Sequence, residues 1–384
     1  MRPIRVLTVL TFYYPHWTGL TAHATRIAEG LVTRGHEVTV IAAQHSPELP
    51  LKETVNGVSV VRLPPVARLS RGWLTPSLPW RVQRLARRHH VIHFHTPLPE
   101  APVVAGIGRV LRKPIVMTHQ GDLVMPAGFA NQAMERLGTG LLTLAGHMSS
   151  VVSPLNKDYA SASTFLQRFD GKLVPILPPV EIPIPDQSEV ERWRSELGLE
   201  DRKLIGFAGR FVEEKGFDFL LHAIPELVRT VPGAHLVYAG EHQVVYEKFF
   251  EKCAPFLEAN RDHVTFVGLI QDPRRLANFY AMCDVFALPS RTDCFASVQV
   301  EAMLCGTPVV AADIPGARVP VRTTRMGVLV EPRDPSALAA GIRDVLMKPS
   351  EYRRTREEIR THFDPVKSID AYEELFTRLT SSRR

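Results

Sequence analysis

The sequence predicts an α/β fold built as two parallel-sheet domains. Three observations carry this. The chain has 384 residues, more than one ordinary core holds. Short β-branched apolar runs alternate with segments of helical period, and the alternation occurs twice. Between the two series lies VPILPPVEIPIPD (174–186), whose clustered prolines can continue neither a helix nor a central strand. We therefore expect an N-terminal Rossmann-like domain over 1–180 and a second over 181–365. A last amphipathic helix over 366–384 is free to pack back on the first domain.

The elements follow in order. IRVLTVL opens the chain as a strand; its apolar run is short and no cleavage site follows, so it is read as core and not as a signal peptide. TAHATRIAEGLVTRG has apolar residues at helical spacing and stops at Gly35. HEVTVIAA, VSVVRLP and VIHFHT are strands. APVVAGIGRVLRK is a helix, PIVMTH a strand, and MSSVVSP closes this half. After the linker come the strand KLIGFAGRF, the helix FDFLLHAIPELVRT and the strands AHLVYAG, HVTFVG and DVFALPS. The helix VQVEAMLCG and the strand PVVAAD follow. Ligands of open parallel sheets sit at the carboxyl ends of the strands, so two such sheets are expected to face each other across a central cleft.

Composition excludes several classes. No apolar run reaches a membrane span, and charge is too moderate for a disordered chain. Cys253, Cys283, Cys294 and Cys305 lack CxxC spacing and read as reduced thiols of a cytoplasmic protein. The net charge is +6 and unevenly placed. No acid lies between Glu53 and Glu100, where Arg62, Arg68, Arg71, Arg81, Arg84, Arg87 and Arg88 interleave with Trp73, Leu74, Leu78 and Trp80. That window suits either peripheral contact with an anionic membrane at the inner face of the cell, or a solvated helix face. His89, His90, His93 and His95 have no partners at ligand spacing, and GIGRVL lacks the third glycine of a dinucleotide loop. No Gly-x-Ser-x-Gly elbow is present.

The chemistry concentrates in two loops. In GFAGRFVEEKGFDFL, Gly209, Arg210, Lys215 and Gly216 lie between a strand and a helix start, an arrangement that suits a diphosphate. In DCFASVQVEAMLCGTPVV, Asp293 follows a strand and a helix begins near Phe295. The amides of Ala296, Ser297 and Val298 are expected to point out of its N-terminus. Glu301, a turn further on, could accept both hydrogens of a ribose diol, and Asp293 those of a second sugar. A nucleoside diphosphate joined to a sugar satisfies the whole set.

The pattern acid-x-Phe-small-xxxx-Glu-Ala-Met-xx-Gly-x-Pro-Val-Val resembles the signature of GT-B retaining glycosyltransferases of family GT4. GRFVEEKG, RGHEVTV, HFHT and GVLVEPRDPSALAAGI resemble further family elements, in family order. By that resemblance Arg210 and Lys215, with Gly209, hold the diphosphate. Glu301 holds the ribose, Asp293 with the amides of Ala296 and Ser297 holds the sugar, and Phe295 and Val298 are further donor-binding positions. Thr18 and Gly19 approach the phosphate and the acceptor, and His95 and Asp122 lie on the acceptor side. His119 and Gln120 are rivals for one position, since the family's Thr-x-His aligns its histidine with Gln120. The resemblance implies transfer of a hexose from a UDP- or GDP-sugar to an acceptor hydroxyl, on a lipid-linked or cell-envelope glycan, with no metal or cofactor. Domain closure about 174–186 would complete the site. Asp293 stands where the family usually has Glu, Ala296 where it has Gly, and Leu20 where a second Gly is common. These departures keep a second reading open: an inactive nucleotide-sugar-binding partner of another glycosyltransferase. A pyridoxal-dependent phosphorylase is a third reading, without a matching lysine context.

Overall fold

The computed structural model describes residues 2–69, 72–124, 128–242, 244 and 247–381, with backbone only at 67–69, 72–74 and 130. The chain forms two compact units, Met1–Pro179 with Pro365–Arg384, and Val180–Asp364. The first contains β1 (Arg5–Val9), α1 (Gly19–Thr33), β2 (Glu37–Ala43), β3 (Lys52–Val55), β4 (Val58–Leu63), β5 (Ala67–Leu69), β6 (Gly72–Leu74), α2 (Leu78–Ala86), β7 (Val91–Thr96), α3 (Ala101–Val110), β8 (Ile115–His119), α4 (Phe129–Met148), β9 (Val151–Pro154) and α5 (Lys157–Ala162). The second contains α6 (Gln187–Glu196), β10 (Lys203–Ala208), α7 (Phe217–Thr230), β11 (Ala234–Ala239), α8 (Phe249–Ala259), β12 (Val264–Gly268), α9 (Pro273–Met282), β13 (Val285–Leu288), α10 (Ser297–Leu304), β14 (Val309–Ala312), α11 (Val319–Thr324), β15 (Gly327–Val330), α12 (Pro335–Met347), α13 (Pro349–Tyr352) and α14 (Arg356–His362). The last helix, α15 (Pro365–Ser381), belongs to the first unit.

The first sheet has the order β3-β4-β2-β1-β7-β8-β9, and only the edge strand β3 runs antiparallel. The second has the order β12-β11-β10-β13-β14-β15 and is parallel throughout. Each central strand is buried along nearly its whole length, as a sheet covered on both faces requires. Strand order reverses beside β1 in one sheet and beside β10 in the other. The loops that leave β1 and β10 are therefore at switch points, where open α/β sheets bind ligands.

The core of the first unit runs from Val6, Val40, Val60 and Val91 in the strands to Ile27 and Leu31 of α1 and Ile369, Tyr372 and Phe376 of α15. Thr18 caps α1 in a reciprocal box with Thr21, so the helix starts earlier than its apolar period suggests. The basic window resolves into different environments. Arg62 is fully buried in β4, where it donates to Tyr14 O at 2.7 Å and Pro50 O at 3.1 Å and pairs with Glu53. It is no part of a cationic surface. Leu78 is also buried, whereas Trp80, Arg84, Arg87 and Arg88 are exposed. The side chains of Arg68, Arg71, Trp73 and Leu74 lie outside the described residues.

Candidate nucleotide-sugar site

In the second unit, β10 delivers Gly209 and Arg210 to the switch point. Tyr238 donates to Gly209 O at 2.6 Å, which ties the loop to β11. The chain then turns through 213–215 into Gly216, whose φ is +70°. A Cβ there would lie 2.0 Å from Pro289 O, so glycine is needed both for the left-handed backbone and for the close approach. That approach brings the β10 loop against the loop after β13. Lys215 Nζ consequently lies 2.7 Å from Asp293 Oδ2, although 78 residues separate them.

Both members of this pair are poorly solvated, with side chains 23% and 7% exposed. Burial works against the Lys215 ammonium, but Asp293 and then Glu214 outweigh it and hold the pKa above its ordinary value. Lys215 is thus a fixed cation at neutral pH. Asp293 is itself fixed from behind. Its backbone bridges to Gly316, where φ is +82° and a Cβ would lie 2.6 Å from Asp293 O. Arg210 is more open, and its Nη2 lies 3.4 Å from Glu214 Oε1.

The helix after β13 starts at Ser297, two residues later than expected. The Ser297 N–H donates to Phe295 O at 3.1 Å. It is therefore already engaged, and the expected set of three outward amides is not presented as a set. Phe295 is buried, with its ring 5.9 Å from that of Phe363. Ala296 sits at the cap position, and Val298 lies in the first turn. Glu301 is 8% exposed, and Tyr280 donates to its Oε2 at 3.1 Å. Burial, then the charge of Glu301, pushes the Tyr280 hydroxyl well above its ordinary pKa, so Tyr280 stays a donor that orients the carboxylate.

In the first unit, Thr18 and Gly19 leave β1 at the other switch point, and a Cβ on Gly19 would meet open space. The adjacent strand ends separate the rivals His119 and Gln120. His119 is 1% exposed and stacked on Phe165 at 4.6 Å. Its Nδ1 is 3.0 Å from Thr96 Oγ1 and its Nε2 is 2.9 Å from Asp122 Oδ1. Gln120 is only half-buried, and its Nε2 lies 2.8 Å from His95 Nδ1. Gln120 thus takes the outer position, and His119 lies beneath it. Asp122 is committed to His119 and to Ser163, whose Oγ is 2.9 Å from each carboxylate oxygen. Burial alone would raise its pKa, but hydrogen bonds from His119, Ser163 and Tyr159 bring it below the ordinary value. His95, read from the resemblance as an acceptor-side residue, is fully buried. Burial, then His93 and His23, holds its pKa well below the ordinary value, so it is neutral.

Three contributors were not singled out from the sequence. Arg291 makes a two-pronged pair with Asp218 at 2.7 and 2.6 Å. It also donates from Nη1 to Glu213 O at 2.8 Å and from its backbone to Glu214 O at 2.7 Å. Arg291 and Asp218 therefore brace the turn that carries Lys215. Tyr280 is the third. Arg291 and Asp218 lie 73 residues apart, and Tyr280 precedes Glu301 by 21. Only the strand order brings these residues together, so no local spacing could have marked them.

Residues 189–362 match the family described as Glycosyl transferases group 1, and residues 18–167 match the Glycosyl transferase 4-like domain. An uncharacterized glycosyltransferase of Methanocaldococcus jannaschii is 28% identical over 359 residues, 88% of each chain. The GDP-mannose-dependent alpha-(1-6)-phosphatidylinositol monomannoside mannosyltransferase of Mycolicibacterium smegmatis is 29% identical over 365 residues, 90% of each chain. Among solved structures, the Anabaena protein HepE in complex with UDP and glucose has a TM-score of 0.78 at 21% identity. The match covers 98% of this chain and all of that one. Sheet order, the switch-point loops and these matches agree: the chain belongs to the group 1 glycosyltransferases, family GT4 of GT-B fold, and is a hexosyltransferase.

Proposed function

We propose that this enzyme transfers a hexose from a UDP- or GDP-sugar to an acceptor hydroxyl with retention of anomeric configuration. The observation that carries the reading is the Lys215–Asp293 pair at the switch point of the second sheet, with Arg210 and Glu301 supplied by the same unit. Lys215 and Arg210 take the diphosphate, the Tyr280-oriented carboxylate of Glu301 takes the ribose, and Asp293 takes the sugar hydroxyls. Thr18, Gly19 and Gln120 serve the acceptor and the transferred sugar from the first unit, with His119, His95 and Asp122 behind Gln120.

In the reaction, the bond from the anomeric carbon to the phosphate oxygen breaks and a bond to the acceptor oxygen forms on the same face. The acceptor proton passes to the leaving phosphate. The protein then has to position the partners and stabilise the growing phosphate charge. A fixed cation at Lys215 suits that task. A GDP-mannose-dependent relative and a structural neighbour solved with UDP both support a nucleotide-sugar donor. In this reading the enzyme works in the cytoplasm, on a lipid-linked acceptor at the membrane face.

The test is thermal stabilisation of the purified protein by UDP, GDP, ADP and dTDP without added metal. A shift with UDP or GDP identifies the donor class. No shift with any of them removes the site. A shift without turnover on any acceptor would favour the reading as a non-catalytic partner, which the departures at Asp293 and Gln120 motivate.

A further inference from the structure

α4 carries most of its large apolar side chains on the outside, Leu142 excepted. Its inner face is small: a Cβ on Gly138 would lie 2.6 Å from Leu123, and one on Gly146 would lie 2.4 Å from the Phe169 ring. Ala145 and Leu142 are buried on the same side. Met134, Leu137, Leu141 and Leu144 recur at spacings of three and four and form an exposed stripe. Phe129, at the start of the helix, is 91% exposed. Scattered exposed apolar residues are ordinary, but a continuous stripe is not.

The surroundings are cationic. α3 packs against both α4 and α2, so the three helices lie side by side. Together they carry Arg81, Arg84, Arg109 and Arg136 against one acid, Glu135; of the flanking residues, Arg87 and Arg88 follow α2 directly and Glu100 stands at the N-cap of α3. Trp80 is 53% exposed and lies under two guanidiniums, with Arg81 Cζ at 4.8 Å and Arg84 Cζ at 5.5 Å from its ring centre. A groove of about 730 Å³, with Leu51, Val66 and Pro76 in its walls, opens beside Trp80.

We infer that the α2–α3–α4 face docks on an anionic phospholipid bilayer. The α4 stripe and Trp80 enter the headgroup layer, and the arginines of α2 neutralise lipid phosphates. Charge complementarity selects a membrane over a second copy of the chain. Two such faces would set Arg84, Arg87 and Arg88 against the same cations, with only Glu135 and the α3 cap residue Glu100 of each copy to compensate. No described helix is long and apolar enough to cross a membrane, and the docking is peripheral. The inference deepens the lipid-linked reading of the acceptor and rests on that reading only for its purpose.

The test is sedimentation with vesicles of phosphatidylcholine alone and of phosphatidylcholine with phosphatidylglycerol. The wild type, Leu137→Gln/Leu141→Gln and Arg84→Glu/Arg87→Glu are compared, with melting curves to confirm folding and light scattering to fix the oligomeric state. The expected result is binding to the anionic vesicles only, weakened by salt and reduced about tenfold or more in either double variant. Equal binding to both vesicles, binding to neither, or wild-type binding by the α4 variant overturns the inference. So does a dimer that dissociates in the α4 variant. Nucleotide-induced stabilisation, measured on the same samples, tests the donor site separately, because no substituted residue belongs to it.

Discussion

Lys215, the cation proposed for the diphosphate, is held in place by its neighbours. Its charge is maintained by Asp293, its turn is braced by Arg291 and Asp218, and its approach to β13 requires Gly216. Lys215→Ala is expected to lower kcat about 100- to 1000-fold, the range for deleting one preorganised charge-stabilising donor. Glu301→Ala is expected to abolish transfer through lost nucleotide binding, which calorimetry with the active nucleotide checks. Near-normal turnover in either folded variant would remove that residue from the mechanism. Arg291→Gln should destabilise the second unit by about 1–3 kcal/mol, from lost hydrogen bonds to charged groups. It should also lower kcat more than it raises KM, because it loosens Lys215 without touching the nucleoside. Arg291→Lys should recover stability only in part, since an ammonium cannot make the two-pronged contact.

At the scale of elements, the core strands were legible because each is a short apolar run bounded by turn residues, and a parallel sheet buries such runs on both faces. Lys215, Asp293 and Glu301 were legible as the grip on one ligand, but the contact between Lys215 and Asp293 was not legible. The Lys215–Asp293 contact exists because β10 lies next to β13, and that adjacency is a property of strand order. α4 escaped because its outward leucines and inward glycines invert the usual pattern, so its apolar period marks the wrong face. The strand β7 hides another feature. It carries His93 and His95, which pack with His23 of α1, at 4.3 Å between the β7 rings and 5.6 Å from His23 to His95. Burial, before any neighbouring charge, lowers His23 and His93 to about 3 and His95 well below 6.5. The folded state refuses protons that the unfolded chain accepts below about 6.5. Stability is therefore complete above that pH and falls as pH drops below it, by about 2 kcal/mol at pH 5 for each of His23 and His93. The melting temperature should fall between pH 7 and pH 5, and His93→Asn should flatten that slope. An unchanged slope would mean that these rings are not what titrates on unfolding.

For the whole molecule, the second unit is an insertion between Pro179 and Pro365 of the first, because α15 returns to pack on α1 and β7. Ile369, Tyr372, Leu375 and Phe376 are all buried in the first unit's core. At about 1.5–3 kcal/mol for each buried side chain, their removal costs roughly 6–12 kcal/mol, which is comparable to the stability of a domain. A chain ending at Asp364 should therefore lose the folded first unit and expose Val6, Val91 and His93. The second unit keeps its own sheet and Arg210, Lys215, Asp293 and Glu301. It should still melt cooperatively and still be stabilised by the nucleotide that stabilises the full chain, while transfer is lost. Calorimetry of the truncated and full-length proteins, each with and without nucleotide, decides this. Loss of the nucleotide-dependent transition on truncation would mean that the donor site needs residues of the first unit, and the assignment of Lys215, Asp293 and Glu301 as a self-sufficient set would fail.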